Sequence, residues 1–196
     1  MTTRGLQSTL LERLRALMPR RALTHSEALQ IAERQAGLLL SCLGIATPPL
    51  PLSVLAELAF ITIDLRPGFP TSGLATRTKS GWVIALNEDE PEPRQAFSLG
   101  HELKHVLDDP FIDRLYPSSG GYSSHERAER VCDYFAACLL MPKRLVTSDW
   151  CSGRQDIKWL AARYRVSRQA MGIRLSQLGL SAPTPRCAWE PHGAAP

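Results

Sequence analysis

Two histidines four residues apart with a glutamate between them are the part of this chain best equipped for chemistry: His101-Glu102-Leu103-Lys104-His105. On a helix, residues four apart lie one turn above each other, so His101 and His105 share a face and both imidazoles can reach one metal ion. Glu102 lies about 100° further round, where its carboxylate can take a proton from water held by such an ion. That is the layout of metal-assisted hydrolysis. The helix is predicted by Leu99, Leu103 and Val106, whose spacing of four and then three residues makes a buried stripe on the opposite side.

A catalytic zinc site uses three protein donors and keeps one position open, so a further ligand is required on a second rigid element. The stretch from Ser124 to Met141 reads as that element, a helix stopped by Pro142. Glu129 and Glu126 are both placed to be the third ligand. The competing role for Glu126 is that of a helix-start carboxylate near the positive end of the helix dipole. Asp133, one turn beyond Glu129, is positioned to accept the spare ring N–H of a ligating histidine and so fix its tautomer. Gly100, Ala136 and Ala137 are small enough to let the two helices approach as closely as ligand distances of about 2 Å require. Gly100 otherwise costs its helix about 1 kcal/mol relative to alanine.

The stretch from Arg94 to His105, followed by Glu129-x-x-Cys132-Asp133-x-Phe135-Ala136-Ala137-x-Leu139-Leu140-Met141-Pro142, resembles the ImmA/IrrE metallopeptidases. The resemblance runs from about Pro48 to Leu180 and takes in Ile157-x-x-Leu160-Ala161-x-x-Tyr164-x-Val166-Ser167-x-x-Ala170-Met171. It implies a zinc peptidase of the gluzincin type, with His101, His105 and Glu129 on the metal and Glu102 as general base. It also implies a substrate: a helix-turn-helix (XRE-type) repressor, whose cleavage relieves repression of stress-response or mobile-element genes. Two positions depart from the family pattern. Cys132 stands where alanine is usual, and Asp133 where asparagine is commonest. Neither removes a ligand, and Cys132 adds a thiol beside the metal position.

Composition bounds the alternatives. The chain has 196 residues, long enough for one compact domain with an appended subdomain. Lys and Arg number 23 against 19 Asp and Glu, a net charge of +4 that does not by itself imply nucleic acid. No apolar run approaches the eighteen or so residues of a membrane span, and the N-terminus lacks the apolar core and cleavage site of a secretory signal. Residues 1–21 are Arg-rich and poor in acids, as a mitochondrial presequence is, but Glu12 and the leucine periodicity favour an ordinary amphipathic helix. A cytoplasmic location is expected. The five cysteines, Cys42, Cys132, Cys138, Cys151 and Cys187, are odd in number with no Cys-x-x-Cys spacing, which indicates neither a disulfide framework nor a thiolate zinc site. Cys138, among Ala137, Leu139 and Leu140, reads as a small buried hydrophobe.

The expected fold is α+β: a small antiparallel three-stranded sheet packed on a zinc-binding helical core, ending in a helix-turn-helix-like segment. Residues 1–47 form a helical arm, with a leucine stripe at Leu6, Leu10, Leu14 and Leu17 and a capping box at Thr24 and Glu27. Residues 48–152 form the peptidase core, beyond the proline-rich segment at 47–51. Within it, Ser53 starts a short helix, Phe60 to Asp64 is a strand, and Gly73 to Thr78 and Trp82 to Leu86 flank a hairpin turn. The strand from Trp82 to Leu86 is either a sheet edge that binds extended substrate through its main chain or a strand covered by neighbours on both sides. The loop at 118–121 is expected to border the cleft, and Tyr122 and His125 beside it are either oxyanion-stabilising or merely exposed. Residues 153–182 carry two helices joined by a tight turn, and 183–196 form a loose tail. Between 154 and 180 six basic residues (Arg154, Lys158, Arg163, Arg165, Arg168, Arg174) face the single acid Asp156. A DNA-reading role is conceivable from this charge, but the resemblance places the segment in the peptidase body, so no specific DNA binding and no membrane association are expected.

The metal expected is Zn²⁺, although two histidines and a carboxylate also suit Mn²⁺ or another divalent ion. The alternative function is a DNA-binding or protein-interaction regulator of toxin or antitoxin type, with a structural or vestigial metal site. Glu102 argues against it, because a structural site has no use for a general base.

Overall fold

The computed structural model describes residues 3–180, with side chains from Leu10 onward; the tail at 183–196 and the Leu6 side chain lie outside the described residues. In chain order the elements are α1 (Thr3–Ala16), α2 (His25–Cys42), α3 (Leu52–Ala56), β1 (Ile61–Arg66), β2 (Gly73–Thr78), β3 (Gly81–Asn87), α4 (Glu92–Asp108), α5 (Ile112–Leu115), α6 (Ser124–Leu140), α7 (Lys143–Cys151), α8 (Ile157–Tyr164) and α9 (Arg168–Gln177).

The sheet has the order β1-β3-β2, and it is mixed rather than antiparallel. β2 and β3 form the expected hairpin, with Thr78 opposite Gly81. β1, however, lies on the far side of β3 and runs parallel to it, Ile61 opposite Trp82 and Arg66 opposite Asn87. Short connections favour a meander, but β2 already occupies one edge of β3, so the chain leaving β1 crosses the end of β3 to start β2. Main-chain bonds at that end hold the crossing, Glu88 N–H to the Arg66 carbonyl at 3.0 Å and Asn87 N–H to the Ser72 carbonyl at 3.2 Å. Trp82 to Leu86 is therefore the central strand, with neighbours on both sides, and cannot be a substrate-binding edge. β1 and β2 are the outer strands, and β2 is the one that packs against α4.

α4 packs against α6 on one side and against β2 and β3 on another. Leu99, Leu103 and Val106 are buried, as the stripe predicts, and meet Val131, Phe135 and Leu139 of α6 in the same core. The two axes come unusually close because of Gly100, where an added Cβ would stand 3.2 Å from both Cα and Cβ of Ala136.

The N-terminal helices share this core. Leu10 and Leu14 of α1 and Ala32, Ala36 and Leu39 of α2 are buried within it, and α2 packs on α6. The Arg15 side chain donates to the carbonyls of Val106 (2.9 Å), Leu107 (3.2 Å) and Asp109 (2.6 Å), satisfying carbonyls that the end of α4 leaves unpaired. Thr24 and Glu27 form the predicted capping box on α2.

α7 has no precedent in the sequence reading. Pro142, which ends α6, is also the N-cap of α7, a position where proline's missing N–H costs nothing. Beyond it Asp156 caps α8 and Ser167 caps α9. Leu160, Tyr164, Met171 and Leu175 turn into the core. Among the described residues no helix is long and apolar enough to cross a membrane.

Candidate metal centre

The α4–α6 contact brings together side chains from two helices whose motifs are 24 or more residues apart in sequence. His101 and His105 project from one face of α4 with their Nε2 atoms 3.2 Å apart. Glu129 of α6 faces both, Oε2 standing 3.2 Å from His101 Nε2 and Oε1 3.1 Å from His105 Nε2. Asp133, one turn on, lies with Oδ1 2.9 Å from His101 Nδ1, on the opposite side of the ring from Glu129. With Nδ1–H donated to Asp133, the Nε2 lone pair of His101 is directed at the common point.

These distances test whether a metal fits. Each imidazole Nε2 stands 3.1–3.2 Å from an oxygen of Glu129 and 3.2 Å from the other Nε2, contacts that an imidazole N–H donating to the carboxylate makes and that lone pairs turned onto one ion would also make. Bonds of about 2.0–2.1 Å to a tetrahedral ion require ligand atoms about 3.3 Å apart. The two nitrogens stand 3.2 Å apart and each lies 3.1–3.2 Å from its own oxygen of Glu129, so the donor set fits a divalent ion in type and in approximate spacing.

The electrostatics agree. For His101, burial works to lower the pKa, but the Asp133 hydrogen bond and the charges of Asp133, Glu129 and Glu102 outweigh it and the pKa is raised. For His105, burial and the neighbouring His101 lower the pKa, which leaves its ring neutral and its lone pair free to bind metal. The cradle thus attracts positive charge at its centre while keeping one imidazole ready as a ligand.

Glu102 stands beside the cradle and is fixed by the edge of the sheet. Its Oε2 accepts the N–H of Ala75 at 2.9 Å. Gly73 makes this approach possible, since a Cβ there would come to 3.0 Å from Glu102 Cγ. Sequence reasoning did not single out Gly73 or Ala75. The one available signal was a glycine at the start of a strand, which often marks close backbone approach.

The other residues considered from sequence fall elsewhere. Glu126 is engaged in a capping box, its carboxylate accepting from the Ser123 N–H at 2.8 Å while the Glu126 N–H donates to Ser123 Oγ at 3.1 Å. His125 is exposed, with Nδ1 3.6 Å from Glu129 Oε1. Tyr122 lies under the Arg130 guanidinium, 3.9 Å from its ring centroid. Neither it nor the loop at 118–121 lines the cleft. Cys132 is the thiol that the sequence places beside the metal position. It is fully buried behind the cradle, and its Sγ lies within 4.8 Å of ligand atoms of His101 and His105. Burial pushes its thiol well above the ordinary range.

The cleft over the cradle has a volume of about 1010 Å³ and runs from His101, Glu102 and Glu129 past Phe97 to Ala170 and Ile173 of α9. The contribution of α9 was not legible locally, because it depends on how the C-terminal helices fold back on α4 and α6.

Residues 64–176 match the family model of the IrrE N-terminal-like domain, a peptidase family. The chain belongs to this family. The radiation response metalloprotease IrrE of Deinococcus deserti is 36% identical over 67 residues, which are 33% of this chain and 24% of that protein. The match thus spans about a quarter of the length of the curated relative. A transcriptional regulator of Mycobacterium tuberculosis shares the fold with a TM-score of 0.61 over 90% of this chain and 53% of that one, at 17% identity. In this IrrE-like domain the matched segment contains the His101–Glu102–His105 motif, Glu129 and Asp133 together.

Proposed function

We propose that the protein is a metal-dependent endopeptidase, with His101, His105 and Glu129 as ligands of a zinc ion and Glu102 as general base. The observation that carries this reading is the convergence of three donors at 3.1–3.2 Å with a fourth ionisable group, Glu102, anchored beside them. A divalent ion bound there supplies Lewis-acid chemistry, lowering the pKa of water towards about 7 and polarising the scissile carbonyl. Glu102 accepts the proton of the attacking water and delivers it to the leaving amine. Ala75 N–H holds the Glu102 carboxylate in line for this, and Asp133 holds the His101 ring. β2, an outer strand of the sheet, borders the cleft at Gly73.

The substrate we propose is a helix-turn-helix (XRE-type) repressor, cut so that it leaves its operator. The family resemblance supports this, as does an open cleft of about 1010 Å³, which has room for several residues of extended chain. The C-terminal helices serve the peptidase body and not DNA: Ala170 and Ile173 line the cleft, and Arg174 is buried with its Nε donating to the Met141 carbonyl at 3.0 Å.

Purified protein is expected to hold about one metal per chain. His101→Ala, His105→Ala and Glu129→Ala each lose it, whereas Glu102→Gln keeps it and slows cleavage of a cognate repressor by at least ~100-fold. Metal analysis alongside mass mapping of the fragments makes the comparison. Retention of metal in Glu129→Ala, or an uncut repressor with zinc and manganese alike, would refute the assignment.

A further inference from the structure

The cradle has a donor that the two-histidine, one-carboxylate reading leaves unused. Cys132 lies on α6 one turn beyond Glu129 and directly before Asp133, so the three point towards α4 from adjacent positions on one side of the helix. Its sulfur and a ring nitrogen of each of His101 and His105 lie within 4.8 Å of one another, a group that does not take in Glu129, and the residue has no solvent exposure. A tetrahedral zinc with Zn–S of about 2.3 Å and Zn–N of about 2.0–2.1 Å places sulfur and nitrogen about 3.6 Å apart. One rotamer step at a cysteine moves its sulfur by about 3 Å, which exceeds the shortfall from coordination distance. Cys132 borders two imidazoles.

We infer that Cys132 is a fourth protein donor to the metal held by His101, His105 and Glu129. The inference rests on the metal site proposed above and adds a role for the thiol. On coordination the S–H bond breaks, its proton passes to solvent, and the sulfur bonds to the ion as thiolate; on release the thiolate takes one proton back. No electron is transferred. A thiolate donor there would compete with water for the open position, so cleavage would require it to be displaced. It also biases the site towards zinc and cobalt and away from manganese, because a soft sulfur donor favours thiophilic ions.

Cobalt(II) substitution separates the possibilities without any activity measurement. The wild-type cobalt protein is expected to show both the visible ligand-field bands and a near-ultraviolet thiolate-to-cobalt charge-transfer band. Cys132→Ala is expected to lose the charge-transfer band and keep shifted ligand-field bands, with zinc affinity falling about tenfold and manganese affinity changing less than about threefold. Ligand-field bands without a charge-transfer band in the wild type would overturn the role of Cys132 and leave the metal site standing. A charge-transfer band that survives in Cys132→Ala would assign it to another thiol and overturn it equally. Failure of the wild type to bind cobalt, zinc or manganese would bring down the metal site itself. Circular dichroism of Cys132→Ala guards against misfolding, and Cys132→Ser, which keeps the volume but not the soft donor, is expected to reproduce the loss of the charge-transfer band.

Discussion

Two helix pairs flank the cleft, and they are held by different forces. α4 and α6 meet through apolar faces with the Gly100 backbone against Ala136, and the polar contacts between them lie at the cradle itself. α8 and α9 bury fewer apolar side chains and are tied down by polar ones. Asp149 of α7 accepts from Arg163 Nε at 2.7 Å and Tyr164 Oη at 2.9 Å, and Arg174 reaches the Met141 carbonyl. In the first pair helix spacing is a matter of volume, so the donor distances are as exact as the packing beneath them. In the second pair placement depends on buried hydrogen bonds, which tolerate changes of volume but not loss of a partner.

This contrast can be broken first at Gly100. Gly100→Leu has no space to fill, and the overpacking is expected to cost about 3 kcal/mol while forcing α4 away from α6 and displacing His101 beside it. Thermal unfolding and metal content should fall together. Loss of stability with full metal occupancy would mean that the cradle does not depend on helix spacing.

A smaller effect is expected at Asp149, where Asp149→Ala leaves the buried Tyr164 hydroxyl without its acceptor. The expected cost is about 2 kcal/mol, read from urea unfolding, with the metal retained because α4 and α6 are untouched. If the metal were lost as well, the two pairs would be coupled, and the C-terminal helices would help to shape the cradle as well as the cleft.

The smallest effect lies outside both pairs, at the start of α2. Glu27 is hydrogen-bonded by Arg21 and by the Thr24 N–H and hydroxyl, which lower its pKa from an ordinary 4.5 to about 2. A depressed folded pKa means stabilisation that is complete above pH 4.5 and is lost as the pH falls towards 2. Glu27→Gln should therefore melt slightly below the wild type at neutral pH, and the gap should close on acidification to about pH 2. A gap independent of pH would show that the glutamine amide loses a contact unrelated to charge.

The sequence by itself determined the features written in local spacing. His101 and His105 share a face because they are four residues apart on a helix, and Asp133 shares a face with Glu129 for the same reason. The caps at Thr24, Asp156 and Ser167 likewise depend only on residues close in sequence. What the tertiary structure decided involves groups with no common local frame. The parallel pairing of β1 with β3 is a choice between edges of a strand, which no residue in β1 encodes. The anchoring of Glu102 by Ala75, across 27 residues, requires the sheet to dock on α4 first. The capture of Glu126 by Ser123 is local, three residues apart, but the approach of Glu129 to both histidines and of Cys132 to the same rings follows from how deeply α6 settles against Gly100. In each case the deciding energy is packing between distant segments, whose depth and orientation are set by the assembled core.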